Sequence, residues 1–136
     1  MNKKEQVEQL TRYMANFVSY VGKKLPDDVE AKLAELAEKE DSPLSRVIYD
    51  TMKKNQDLAM KLNRPCCQDT GVLQFWVKCG TGFPLIGELE GLLKEAVMLS
   101  TKEAPLRHNS VETFDEYNTG KNVGKGTPTV FWDIVP

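Results

Sequence analysis

Apolar side chains recur at intervals of three and four along the first sixty residues, which is the spacing of one face of an α-helix. The first stripe predicts a helix over about residues 5–22, and a second predicts a shorter helix that begins at Pro26. A third stripe continues to residue 62 after a start signal at 41–43, where a serine precedes a proline. The pattern therefore predicts three helices within residues 1–63.

The pattern changes after the third stripe, where an Asn-Arg-Pro sequence does not favour helix continuation. Residues 72–77 are rich in β-branched and aromatic side chains and predict a strand, opened by a turn at 68–71. Apolar residues at helical spacing then predict a fourth helix from Ile86 to about Lys102. A second strand is predicted over 129–135.

The segment between the fourth helix and the second strand, residues 104–128, has no usable periodicity. A structureless loop longer than about 15 residues usually carries function or is held by another element, and two separated strands are few for a sheet. We therefore predict an α+β fold in which N-terminal helices are followed by mixed strands and long functional loops. We expect it to be an incomplete part of a larger domain, helical over 1–63 and motif-bearing over 64–136.

Composition narrows the class of protein. The 136 residues carry a formal charge of −2 and are 40% hydrophobic, values typical of a soluble globular chain that does not bind nucleic acid. No apolar run approaches the ~18 residues of a membrane span, and the charged start does not resemble a signal peptide. Three cysteines, two of them adjacent, argue against a secreted disulfide framework. We expect a cytoplasmic chain with reduced thiols and no membrane partner.

The first cluster of candidate functional residues lies at 64–71, with the sequence RPCCQDTG. Cysteine, amide, carboxylate and hydroxyl groups between a helix and a strand can hold a soft metal beside groups that orient a ligand. The residues alone leave another interpretation open, a buried apolar thiol beside a capped turn. Zinc is less favoured, because the three cysteines and His108 lack the CxxC spacing of structural zinc sites.

A second candidate stretch runs over 105–111 and continues through 118–128. The guanidinium of Arg107 matches a carboxylate with two hydrogen bonds, and a loop rich in glycine and asparagine lets backbone amides approach an anion. Both features favour a small acidic substrate. The alternative is a flexible surface loop whose arginine pairs with a glutamate. His108 is more often packed or solvent-facing than a base, and the order of a phosphate-binding loop is absent.

Together the two stretches resemble a known family. RPCCQDTG at 64–71, FPLIG at 83–87, PLRHNSV at 105–111 and NTGKN at 118–122 closely resemble the α subunit of the iron–sulfur dicarboxylate hydratases. This family contains the class I fumarases and the L(+)-tartrate dehydratases, and the resemblance covers almost the whole chain. The Arg-His-Asn form at 107–109 is more similar to the tartrate enzymes than to the fumarases, where Arg-Pro-Asn is expected.

The resemblance implies a hydro-lyase that acts on a C4 dicarboxylate, either L-tartrate to oxaloacetate or fumarate and malate. It implies a [4Fe–4S] cluster with an open iron, for which Cys67 is a metal ligand and Cys66 and Cys79 are not. Asp69 is implied as a catalytic residue that also contacts the substrate hydroxyl region. Gln68 and Arg107 are implied as further substrate-binding residues.

The family's α subunits are about twice as long as this chain and carry their other cluster cysteines in the additional part. A β subunit or C-terminal catalytic domain supplies further catalytic groups, and the complete enzyme is expected to be an oligomer. We therefore expect this chain to be truncated, or to act with other chains, and to be inactive alone. A hypothesis from another class stays open: a non-catalytic remnant or assembly module that binds a partner without a cluster.

Overall fold

A computed structural model describes residues 1–66, 71–111, 114 and 116–136. The elements in chain order are α1 (Lys3–Val21), α2 (Asp27–Lys39), α3 (Pro43–Leu62), β1 (Gln74–Gly80), α4 (Leu89–Glu103) and β2 (Thr129–Val135). This order confirms the predicted α+β architecture with its helices first. Across these residues, no helix combines the length and the apolar character that crossing a membrane requires.

The chain packs as two compact units. Residues 20–68 form the helical unit, and residues 1–19 together with 69–136 form the sheet unit. The prediction that 1–136 is the N-terminal part of one larger domain stays a prediction.

In the helical unit, α2 and α3 begin at the start signals that the sequence predicts, near Pro26 and at Ser42. Pro26 precedes α2, whose first turn carries three carboxylates that interact favourably with the helix dipole. The Ser42 hydroxyl accepts a hydrogen bond from the Ser45 N–H at the start of α3. Asn63 ends α3 in the left-handed conformation, with φ at 52°. Local capping chemistry therefore determines both ends of α3.

In the sheet unit, β1 and β2 pair in parallel, from Gln74 opposite Thr129 to Gly80 opposite Val135. The second strand has the predicted bounds, whereas β1 is shifted from the predicted 72–77 towards its C-terminus. The cause is the pairing itself, because the ladder with β2 continues to Gly80 whatever the local propensity of those residues. A parallel pair needs a crossover connection, and α4 lies within it.

The fourth helix begins at Leu89, later than the predicted start at Ile86. The backbone N–H groups of Ile86 and Glu88 donate to carbonyls only three residues earlier, so this segment forms tight turns before the α-helical pattern begins. Helix α4 then supplies more buried residues than any other described element of the sheet unit. Its buried residues are Leu89, Leu92, Leu93, Ala96, Val97, Ser100 and Thr101.

The ends of α4 also contact α1 through side chains. Lys3 pairs with Glu88 at 2.6 Å, and the Arg12 guanidinium binds both carboxylate oxygens of Glu103 at 2.7 Å. These pairs are largely exposed and contribute little to stability. Thr101 on α4 is buried, and its hydroxyl accepts a hydrogen bond from the loop that follows α4.

Where the structure describes that loop, at 104–111, 114 and 116–128, it lacks regular secondary structure, as the sequence predicts. Within its described part, isolated bridges join Val111 to Asn118 and Gly124 to Thr127. Gly120 and Gly126 have φ values of +68° and +74°, which glycine adopts without strain. The loop is held mainly by side-chain hydrogen bonds, and these bonds build the candidate site.

Candidate functional site

Asn122 lies at the centre of the candidate site and is only 6% exposed. Its Nδ2 donates to Thr101 Oγ1 at 3.1 Å and to the Arg107 carbonyl at 2.8 Å. Its Oδ1 accepts from the Asn109 N–H at 2.9 Å. The φ of Asn122 is 56°, a left-handed conformation in which asparagine is enriched. The Asn122 amide thus connects the backbone of the two residues that flank His108 to Thr101, near the end of α4.

Asn118 holds the same loop from its other side. Its Nδ2 donates to the His108 carbonyl at 2.5 Å, and its Oδ1 accepts from the Gly120 N–H at 2.8 Å. The Thr119 N–H donates to the Ser110 carbonyl at 3.4 Å. The backbone that carries Arg107 and His108 is therefore fixed by two amide side chains that follow it in the chain.

Asn109 joins the two motif stretches. Its Nδ2 donates to the Gly71 carbonyl at 2.6 Å, a hydrogen bond between residues 38 positions apart. Gly71 is the last residue of the CQDTG motif at 67–71. Asn109, Asn118 and Asn122 together form what we call the asparagine cluster. Through it, the end of the first motif and the Arg107 segment belong to one hydrogen-bonded arrangement.

The predicted site residues fall into two groups. Cys67, Gln68 and Asp69 lie outside the described residues, as does most of the predicted turn at 68–71. The side chain of Arg107 is exposed, two residues before the Asn109 contact to Gly71. His108 is also exposed, in agreement with the solvent-facing interpretation. The roles implied for Arg107 and for the 67–69 residues stay predictions.

The asparagines were predicted only as part of a loop that lets backbone amides approach an anion, and their side-chain bonds to the backbone were not predicted. A signal was present, because three asparagines lie within fourteen positions of a segment without periodicity, at 109, 118 and 122. Asparagine side chains bond readily to the backbone and tolerate left-handed conformations, so such a density indicates a loop fixed by its side chains. Spacing alone does not show which backbone groups they bond.

Cys66, in the helical unit, has the environment of a structural thiol. Its Sγ donates to the Lys23 carbonyl at 2.8 Å, and its N–H donates to the Gly22 carbonyl at 2.9 Å. Burial raises the pKa of the Cys66 thiol, and the negative charge of Glu30 raises this pKa further. Because metals bind the thiolate form, these conditions do not fit an iron ligand.

Cys79 also lacks the surroundings of a metal ligand. It is buried in β1, with Sγ 3.5 Å from the Gly80 carbonyl. Among the residues that the structure describes, no group of three or more histidine, cysteine or acidic side chains could hold a metal ion. Cys67, the predicted cluster ligand, lies outside the described residues, and its role stays a prediction.

The Cys66 environment predicts a loss of stability at alkaline pH. The native state holds the thiol proton more tightly than the unfolded state, so this stabilisation is complete below the ordinary thiol pKa of about 8.5 and declines as the pH rises above it. Cys66→Ser keeps a donor for Lys23 and does not titrate in this range. We expect urea midpoints of the wild-type chain to fall relative to Cys66→Ser as the pH rises above about 8.5. Parallel pH profiles of the two chains would contradict this assignment.

Two cavities lie away from the asparagine cluster, one in each unit. The first, of about 420 Å³, lies between α2 and α3 and is lined by both basic and acidic side chains, among them Lys53 and Asp57. The second, of about 380 Å³, lies between α1 and α4. Neither is lined by a predicted site residue, so the candidate site rests on hydrogen-bond geometry.

Comparison with known proteins identifies the family of this chain. The family model described as fumarate hydratase (Fumerase) matches residues 11–136. The chain is 53% identical over 135 residues to the L(+)-tartrate dehydratase subunit alpha of Escherichia coli K12, an alignment that covers 99% of this chain and 45% of that protein. The same identity and coverage hold for the L(+)-tartrate dehydratase subunit alpha of Shigella boydii.

A more distant relative is a Geobacillus stearothermophilus protein named as a class I fumarate hydratase. It is 30% identical over 125 residues, which cover 91% of this chain and 24% of that protein. The chain spans about half the length of the tartrate dehydratase subunits that it matches. Because the family model matches nearly all of its residues, the chain belongs to the fumarate hydratase (Fumerase) family.

Proposed function

We propose that this chain is part of the α subunit of a hydro-lyase that acts on a C4 dicarboxylate. The 53% identity to L(+)-tartrate dehydratase α subunits supports this proposal. The structural observation that carries it is the 2.6 Å hydrogen bond from Asn109 to the Gly71 carbonyl. This bond places the end of the CQDTG motif beside the segment of Arg107, as a site shared by both stretches requires.

The proposed substrate is L-tartrate, which loses water to give oxaloacetate. Its two carboxylates make it a dianion at neutral pH, and Arg107 would bind one of them with a paired hydrogen bond. Fumarate, the alternative substrate, is less favoured because the relative named for fumarate hydration is only 30% identical. Asn122 donates a hydrogen bond to the Arg107 carbonyl, so the backbone of the proposed substrate-binding arginine is held in place.

The motif at 67–69 would supply the remaining groups of this chain. Gln68 would orient the substrate, and Asp69 would bind its hydroxyl region. Cys67 would be one thiolate ligand of a [4Fe–4S] cluster, with the other ligands outside this chain. When bound, a cluster with an open iron supplies a Lewis acid for the departing hydroxyl.

The proposed enzyme contains more than this chain. The relatives are named as α subunits and are more than twice its aligned length, which supports a partner β subunit or C-terminal catalytic domain. We expect the complete enzyme to be an oligomer and the isolated chain to be inactive. The free thiols of Cys66 and Cys79 suit a reducing compartment such as the cytoplasm.

A chimeric complex tests the proposed function. This chain is fused to the remaining sequence of the Escherichia coli K12 α subunit and produced with that enzyme's partner subunit. After anaerobic reconstitution, we expect bound iron and sulfide and the conversion of L-tartrate to oxaloacetate. Activity should decay in air and return with ferrous iron and a thiol, because an open iron is accessible to oxygen.

The unmodified Escherichia coli complex is the positive control, and fumarate hydration by the chimera is measured beside tartrate dehydration. Faster turnover of fumarate would reverse the choice of substrate. A chimera that assembles with its partner but binds no iron would contradict the proposal and favour the non-catalytic assembly module.

A further inference from the structure

We propose that Asn109 is a positioning residue that sets the separation between Gly71, the last residue of the CQDTG motif, and the segment of Arg107. The inference rests on the proposed function, because this separation affects catalysis only if both stretches bind one substrate. Asn109 itself needs no contact with the substrate. Its part is to keep two substrate-binding segments from moving independently.

One side of Asn109 is fixed to the core of the sheet unit. Its N–H donates to Asn122 Oδ1 at 2.9 Å, and Asn122 in turn bonds to Thr101 on α4. Thr101 and Asn122 are 4% and 6% exposed. The Asn109 backbone is therefore connected by two hydrogen bonds to a helix whose inner face is fully buried.

The other side of Asn109 reaches the first motif. Its Nδ2 donates to the Gly71 carbonyl at 2.6 Å, and Gly71 lies three residues before the start of β1 at Gln74. β1 is fixed by its pairing with β2, whereas the backbone between Gly71 and Gln74 lies outside that ladder. The amide of Asn109 therefore restrains Gly71, which the ladder between β1 and β2 does not reach.

Arg107 is coupled to the same arrangement. Its carbonyl accepts from Asn122 Nδ2 at 2.8 Å, so one asparagine fixes the backbone at both 107 and 109. A change at Asn122 removes several buried hydrogen bonds and endangers the fold of the loop. A change confined to the side chain of Asn109 leaves those bonds in place and releases only Gly71.

Asn109→Asp in the chimeric complex tests the inference. The carboxylate has nearly the shape of the amide, but it donates no hydrogen bond at neutral pH and repels the Gly71 carbonyl. We expect kcat/KM for L-tartrate to fall about tenfold, since displacements of about 1 Å at a catalytic site can cost up to a hundredfold. Iron content and the Tm of the complex should stay unchanged.

Asn16→Asp is the matched control, because it makes the same chemical change on the exposed face of α1. We expect its kcat/KM to stay within twofold of wild type. The double variant Arg107→Lys/Asn109→Asp provides a measurement that general destabilisation would not affect. If the Asn109 side chain acts by holding Gly71 in place relative to Arg107, the double variant should lose clearly less than the product of the two single losses.

The outcomes separate the inference from the proposed function. If Arg107→Lys lowers kcat/KM while Asn109→Asp matches the Asn16→Asp control, the positioning inference is wrong and the proposed function stands. Losses that multiply in the double variant would also overturn the inference. If neither Arg107→Lys nor Asn109→Asp changes kcat/KM in an active chimera, the proposed substrate contact at Arg107 fails as well.

Discussion

Cys67→Ser in the chimeric complex is expected to remove the visible absorbance of the iron–sulfur cluster and to abolish tartrate dehydration. Serine offers an oxygen of high pKa where an iron–sulfur cluster requires a thiolate. Loss of a direct ligand should exceed the 10–100-fold effects that are typical of groups behind a metal ligand, so we expect an activity loss above about a hundredfold. The measurements are absorbance after anaerobic reconstitution, bound iron and kcat/KM.

Cys66→Ser and Cys79→Ser are the matched controls for Cys67→Ser. The Cys66 thiol donates a hydrogen bond to the Lys23 carbonyl, and Cys79 is buried in β1, so neither substitution should reduce the iron content. A normal cluster in Cys67→Ser together with a lost cluster in Cys66→Ser would move the ligand by one residue. It would also require the buried thiol of Cys66 to leave its hydrogen bond.

The helices of the chain could be predicted because their causes are local. Apolar spacing and caps place α1, α2 and α3 close to their observed bounds. The same stripes do not show what covers them, and Leu44 and Ile48 on α3 are 73% and 55% exposed. Periodicity therefore predicts an amphipathic helix without identifying the surface against which it packs.

The sheet depends on contacts that a local pattern does not contain. β1 extends through Lys78 and Gly80, which are not typical strand residues, because their partners Asp133 and Val135 continue the ladder. The predicted strand ended at Val77, where the local β-forming pattern ends. Pairing across more than fifty residues of sequence thus determined the observed end of β1.

The candidate site shows the same division between local and distant causes. Arg107 could be predicted as a substrate-binding residue from the chemistry of its side chain. The CQDTG motif could be predicted as part of the site from its resemblance to a family. The bond that joins the two stretches runs from Asn109 to Gly71, 38 positions away. A second bond, from the Asn109 N–H to Asn122 13 positions away, fixes the backbone of the second stretch. Their partners are backbone carbonyl and amide groups, which every residue has, so the sequence alone does not identify them.

Arg107→Lys is expected to lower kcat/KM for L-tartrate by about tenfold to a few hundredfold, which corresponds to about 1.4–3 kcal/mol of transition-state binding. Lysine keeps the positive charge but loses the planar pair of donors that matches a carboxylate. Arg107→Ala should lose more, because it removes the charge as well. The cluster spectrum should not change in either variant, since the proposed contact is to the substrate.

Arg12→Lys is the matched control for the Arg107 variant, because Arg12 also binds a carboxylate on the surface, through Nη1, which donates to both carboxylate oxygens of Glu103. The chemical change is the same, but that pair lies between α1 and the end of α4, so kcat/KM should stay within twofold of wild type. A similar small effect for Arg107→Lys would place its guanidinium away from the substrate. The 104–128 loop would then be a surface loop held by the asparagine cluster, and the dicarboxylate would have to be bound by groups outside it.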